Sequence, residues 1–163
     1  MYKMLTTAII MVLFTLPVAA TSLHADRVVV VKSEKKLYLV KNGIRVQNFP
    51  IALSPRPRGH KQYEGDERTP EGSYILDFKN EDSDFYKSIH ISYPNQQDID
   101  RAAASGVAPG GLIMIHGIPN DTTLPASLIQ TYNWTDGCIA VTNSAMDEIW
   151  QAVEVGTPID IFP

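Results

Sequence analysis

The chain holds a single cysteine, Cys138, in the run Trp134-Thr135-Asp136-Gly137-Cys138-Ile139-Ala140-Val141, and a His116-Gly117 pair ends an apolar run upstream of it. With no internal disulfide partner, Cys138 is either a small buried hydrophobe or a reactive thiol. The thiolate is the nucleophile, so a reactive cysteine needs a base or a positive environment to draw off its proton. His116 is the candidate base. Gly137 allows close approach and unusual backbone angles, so the Gly137-Cys138 segment can aim backbone N–H groups at an oxyanion forming on an attacked carbonyl. Spacing alone leaves both readings of Cys138 open. The reactive one makes this a cysteine enzyme.

Such a site needs two neighbouring strands. Residues 112–115 are apolar and follow the turn Pro109-Gly110-Gly111, which puts His116 at a strand end. Residues 138–141 read as a second short strand. Upstream, residues 27–32 carry four consecutive valines and read as a buried strand, with further strands at 37–41 and 46–53 around the Asn42-Gly43 hairpin turn. Strands are also expected at 72–78, 88–93 and 159–162. Short helices are expected at 98–104, from about Pro125, and at 145–153. The last is capped by Asn143 or Ser144, with Met146, Ile149, Trp150 and Val153 on its core face. The fold class is mainly β, a β-sandwich or partial barrel with a few short helices.

Residues 54–71 break the pattern with three prolines, two glycines and eight charged side chains. A polar loop of this length inside a compact domain is usually functional. Arg56, Arg58, Lys61 and Arg68 offer a cationic side to a cleft, while Asp66 and Glu71 read as residues that fix the loop. The N-terminus has Lys3 followed by an apolar run of about 12 residues, shorter than the ~20 of a membrane span. This reads as a signal peptide at 1–20, cut after Ala20 or alternatively after Ala25. The domain then covers 26–163, large enough for one core, and no integral membrane segment is expected in the mature chain. A net charge of −4 gives no reason to expect nucleic acid. His60, His90, His116 and Cys138 match no familiar zinc spacing, so no metal and no cofactor is expected.

Several segments, in order, resemble the YkuD-type L,D-transpeptidase catalytic domain, in its YafK-like branch. They are Leu37 through Gly43, Gly65-Asp66-Glu67-Arg68-Thr69-Pro70-Glu71-Gly72, Ile91-Ser92-Tyr93-Pro94-Asn95, His116-Gly117 and Thr135-Asp136-Gly137-Cys138. The resemblance covers nearly the whole mature chain. It implies Cys138 as nucleophile, His116 as general base and acid, and Gly137 as a backbone oxyanion donor. It places Gly117, Thr135, His90, Tyr93, Arg68 and Lys61 at the substrate, with Asn95 near the groove and the histidine steered by a backbone carbonyl. It further implies peptidoglycan stem peptides as substrate, a peptidoglycan-linked envelope protein as a further partner, and export to the periplasm. One departure stands out. Many family members carry Arg two residues after the cysteine, and here that position is Ala140. Its absence keeps carboxypeptidase or amidase chemistry, or a silent binding module, beside transpeptidation.

Overall fold

The computed structural model describes residues 23–163; the expected signal peptide lies outside the described residues. Of the segment between the two candidate cleavage points, Leu23 packs against the core and Ala25 is buried, its N–H donating to the Ala152 carbonyl at 2.8 Å. No helix among the described residues is long and apolar enough to cross a membrane.

Eight strands form one mixed sheet, in chain order β1 (Arg27–Val31), β2 (Lys36–Lys41), β3 (Ile44–Pro50), β4 (Gly72–Ser83), β5 (Tyr86–Ile91), β6 (Met114–His116), β7 (Ile139–Ala140) and β8 (Thr157–Phe162). Their spatial order is β3-β2-β1-β8-β4-β5-β6-β7. The valines of β1 follow from its place, paired antiparallel with β2 and parallel with β8. Val28 and Val30 enter the main core, while Val29 packs with Tyr38 and Val40 on the other face. β-branched side chains suit a strand covered on both sides. The chain leaving β3 at one sheet edge then meets the opposite edge: Ala52 N–H donates to the Ala140 carbonyl at 2.8 Å, and Ala140 N–H returns to Ala52 at 2.9 Å. This bridge turns the sheet into a partial barrel.

Three short helices complete the fold: α1 (Gln96–Ala104), α2 (Ala126–Ile129) and α3 (Asn143–Ala152). Asn95 caps α1 in a capping box with Asp98, so Asn95 is a helix cap and not a groove residue. Thr142, rather than Asn143 or Ser144, caps α3, its Oγ1 accepting from Ala145 N–H. The Asn143 side chain is engaged elsewhere, accepting from Ile118 N–H at 3.0 Å. Met146, Ile149 and Val153 are buried as the helical spacing predicts, whereas Trp150 is only partly covered and carries Lys79 over its ring. The largest departure from the sequence reading is the β4–β5 hairpin, which runs from Gly72 through Ser83 and back from Tyr86. Its polar outer half, Lys79 to Ser83, gave no apolar alternation to read.

Candidate active site

β6 and β7 run parallel, with Ile115 opposite Ile139 and His116 opposite Ala140. Side chains paired across a parallel ladder share a face, and so do residues two apart on one strand. Cys138, just before β7 and two residues before Ala140, falls level with Met114, whose N–H lies 3.4 Å from its Sγ, two residues along from His116 on the same side. Both line one cleft of about 630 Å³, with Ser83, Asp84 and Phe85 of the hairpin tip, Ser88, Leu112, Met114, Trp134, Thr135 and Asp136 also in its walls.

The imidazole of His116 is 3 % exposed, and its Nδ1–H donates to the Gly117 carbonyl at 2.7 Å. That fixes the tautomer and leaves Nε2 as the nitrogen able to take a proton. Burial holds the His116 pKa below the ordinary imidazole value, and the Gly117 carbonyl only partly offsets it. Burial likewise pushes the Cys138 thiol up; the Met114 N–H, 3.4 Å from Sγ, opposes this, and the Asp136 carboxylate adds to it. Both effects favour the uncharged forms, the imidazole for His116 and the thiol for Cys138.

Gly137 has φ +122°, and a Cβ there would lie 2.8 Å from the Arg68 carbonyl oxygen. Only glycine brings the cysteine turn this close to the loop. Thr135 braces the turn, its hydroxyl donating to the Cys138 carbonyl at 2.8 Å and accepting a longer contact from Gly137 N–H at 3.4 Å. The Gly137 N–H is therefore engaged inside the turn. The Cys138 N–H has no acceptor among the described residues.

This architecture has a known counterpart. Residues 25–161 match the model of the YkuD family, the L,D-transpeptidase catalytic domain. The chain belongs to this family. It is 35 % identical over 146 residues to "Putative L,D-transpeptidase YafK" of Escherichia coli, covering 81 % of this chain and 51 % of that protein. Among solved structures it resembles the helical cell shape determining protein Pgp2 of Campylobacter jejuni, with a TM-score of 0.61 and 28 % identity over 83 % of this chain and 46 % of that one. It also shares its fold with an L,D-transpeptidase of Xylanimonas cellulosilytica, at a TM-score of 0.54, 18 % identity, and coverage of 91 % and 65 %. The chain spans about half the length of the curated relatives it matches.

Within this YkuD domain, the residues expected at the substrate divide. Thr135 lines the cleft beside Cys138 and His116. Lys61 does not reach it: its buried ammonium donates to Asp66 at 2.8 Å and to the Tyr63 carbonyl at 3.1 Å. Arg68 contributes its backbone to the site, the carbonyl behind Gly137, while its guanidinium is not in the cleft wall. His90 pairs with Asp77 at 2.6 Å, further along β5 than the cleft-lining Ser88. Tyr93 is a core residue at 3 % exposure, its hydroxyl donating to the Pro109 carbonyl. Gly117 is not in the cleft wall; it is packed too tightly for any side chain, since a Cβ there would meet Asn143 Oδ1 at 2.6 Å and the Phe85 carbonyl at 2.9 Å. The cationic wall expected from the loop is absent from the cleft: its lining carries Asp82, Asp84 and Asp136 and no lysine or arginine. Asp66 does fix the loop, accepting from Lys61 and from the N–H groups of Gln62, Tyr63 and Arg68.

Sequence reasoning missed Phe85, Trp134 as a wall residue, Ser88 and Leu112. An aromatic pair, Phe85-Tyr86, directly after an acidic turn was the available signal for the hairpin tip. Leu112 gave none: it is 76 % exposed at φ +56°, and its carbonyl lies 3.6 Å from the Cys138 thiol. At Ala140, the position of the family arginine, the side chain is fully buried.

Proposed function

We propose that this protein is a cysteine-dependent L,D-transpeptidase acting on peptidoglycan stem peptides in the periplasm. The observation that carries the reading is the placement of Cys138 and His116 in the wall of a single cleft, at the adjoining strands β7 and β6, with Nδ1 of His116 already engaged. The reaction begins from the neutral pair. As Sγ of Cys138 attacks the carbonyl of the diamino acid, its proton passes to Nε2 of His116. The Cys138 N–H, lacking another acceptor, is available to the oxyanion. Collapse breaks the C–N bond, His116 returns the proton to the leaving amine, and D-alanine departs from a thioester. An amine from a second stem then gives a 3→3 cross-link. Water gives a tripeptide instead, His116 again taking the proton.

Family membership supports the chemical class, and the acidic lining suits a substrate carrying the free amino group of a diamino acid. A second reading, release rather than joining, is favoured by Ala140 in place of the family arginine. In that reading the thioester is surrendered to water, in a carboxypeptidase or in an amidase that frees an envelope protein from the wall.

The test is mass spectrometry of muropeptides after incubating the protein with tetrapeptide-rich peptidoglycan, beside Cys138→Ala. New 3→3 dimers that need Cys138 are the expected result. Cys138-dependent tripeptides without dimers would move the assignment to the second reading. Unchanged muropeptides with both proteins would sink the proposal and leave a protein-linked substrate or a binding module.

A further inference from the structure

The tip of the β4–β5 hairpin is tied down far more firmly than a surface turn requires. Asn120 N–H donates to the Asp84 carbonyl at 3.0 Å, Asn120 Nδ2 donates to the Ser83 carbonyl at 2.9 Å, and Asn120 Oδ1 accepts from Tyr86 N–H at 2.9 Å. Gly117 N–H adds a bond to the Phe85 carbonyl at 3.0 Å. From the other side, the Tyr86 hydroxyl donates to both carboxylate oxygens of Asp147 on α3, at 3.0 and 2.9 Å. These ties hold Tyr86 at φ +69°, a left-handed conformation that costs a bulky residue on the order of 1–3 kcal/mol and persists only when its surroundings over-determine it.

What the strained turn delivers is one side chain. The Phe85 ring lies against the imidazole of His116, with centroids 4.6 Å apart and planes at 43°. It also stacks on Trp134 at 6.0 Å and 26°, and Trp134 meets His116 edge-on at 5.5 Å. Aromatic carbon therefore covers the imidazole from two sides, one from the hairpin and one from the segment leading to Cys138. Phe85 is itself about a third exposed and in the cleft wall, so its burial does little for the core.

We infer that Phe85 is a positioning residue for His116, and that Asn120 is the clamp that holds it there. The inference rests on the reading of His116 as the base for Cys138. The Phe85 ring excludes water from the imidazole and keeps it from turning, so Nδ1 stays with the Gly117 carbonyl and Nε2 is held for the thiol proton. The titratable groups sharing the cleft are Cys138, Asp82, Asp84 and Asp136. Variants at Phe85 and Asn120 leave all four unchanged.

The test uses protein with ¹⁵N- and ¹³C-labelled histidine, comparing wild type with Phe85→Ala, Phe85→Leu and Asn120→Ala. The NMR titration and tautomer of His116 are read beside the pH profile of Cys138 alkylation by iodoacetamide, with circular dichroism confirming the fold. Phe85→Ala and Asn120→Ala should move the His116 titration to higher pH, because cover that favoured the neutral form is gone, and should lower the share of the Nδ1–H tautomer. Turnover should fall roughly ten- to a hundredfold, as for a misplaced catalytic group. Phe85→Leu, which keeps apolar cover, should stay closer to wild type. Asn120 is exposed, so its variant gives a folded protein even where Phe85→Ala does not. An unchanged His116 titration and tautomer in Asn120→Ala and in a folded Phe85 variant would overturn the inference. Failure of the reading beneath it has its own signature: wild-type alkylation that does not follow the His116 titration.

Discussion

Replacing Gly137 by alanine asks how tightly the cysteine turn is held. The new Cβ would sit 2.8 Å from the Arg68 carbonyl oxygen and 3.5 Å from Ile113 Cδ1, at φ +122°. The first contact cannot be relieved cheaply, because it is with backbone. Arg68 N–H donates to Asp66 at 3.0 Å, and Asp66 is buried against Lys61 at 2.8 Å, so the loop is anchored one step behind the clash. Backbone strain adds about 1–3 kcal/mol, and overpacking against a fixed neighbour about 1–3 kcal/mol. The sum, roughly 2–6 kcal/mol, is a large part of the 5–15 kcal/mol typical of a domain. At about 4 °C per kcal/mol it lowers Tm by roughly 8–24 °C. Gly65→Ala in the same loop is the control: its φ is +81° and nothing lies within 4 Å of the added carbon, so it carries the strain without the clash. Thermal unfolding and iodoacetamide alkylation of Cys138 read both variants. Gly137→Ala should be the less stable by about 1–3 kcal/mol and should alkylate at an altered rate. If it matches Gly65→Ala in stability and wild type in alkylation, the loop does not hold the turn as argued.

Ala140→Arg, which restores the family residue, should destabilise the domain by several kcal/mol in urea, since it places a charge at a fully buried position; a stable variant that forms more cross-links would refute this. Asp136→Asn removes a carboxylate that raises the Cys138 pKa, so alkylation at pH 7.5 should become faster, and a slower reaction would contradict the electrostatic picture. Asp66 carries the acid-stability prediction. Burial opposes its ionisation, but the N–H groups of Gln62 and Arg68 and the Lys61 ammonium outweigh that and hold its pKa below the ordinary carboxylate value. A depressed carboxylate pKa adds stability above the unfolded value of about 4 that is lost as pH falls through the folded one. Asp66→Asn should therefore cost about 3 kcal/mol or more at pH 7 by leaving Lys61 without its counter-charge. It should also flatten the loss of stability below pH 4, and urea midpoints from pH 2 to 7 check both.

The parts of this protein readable from sequence are those where a local rule decides. Alternating or continuous apolar residues placed β1, β2 and β8 within a residue or two, and Asn42-Gly43 placed the turn between β2 and β3. Cys138 and His116 stood out in the sequence because few residue types offer a nucleophile or a base, and both line one cleft. Their neighbours were not, because the cleft is assembled across the sheet from hairpin, strand end and loop. Charge misled most. Lys61 and Arg68 in a polar loop read as a cationic wall, yet Asp66 captures the Lys61 ammonium and the Arg68 backbone. The aspartates of the cleft came instead from the hairpin tip and the cysteine turn. His90 and Tyr93 were drawn to the site by proximity in a motif, and the partners that claim them, Asp77 and the Pro109 carbonyl, lie far away in sequence.

The order of strands also constrains when this molecule can become itself. β8, the last strand in the described chain, lies between β1 and β4 in the middle of the sheet. The pairing of Val28 with Ile159 joins residues at nearly opposite ends of the described chain. Without β8, the β1–β3 meander and the β4–β7 half have no strand between them, and meet only through the Ala52–Ala140 bridge at the far edge. Contacts of such long sequence separation make folding slow. In a chain of this design, the cleft that holds His116 and Cys138 is assembled only once these distant segments have met, as one cooperative event.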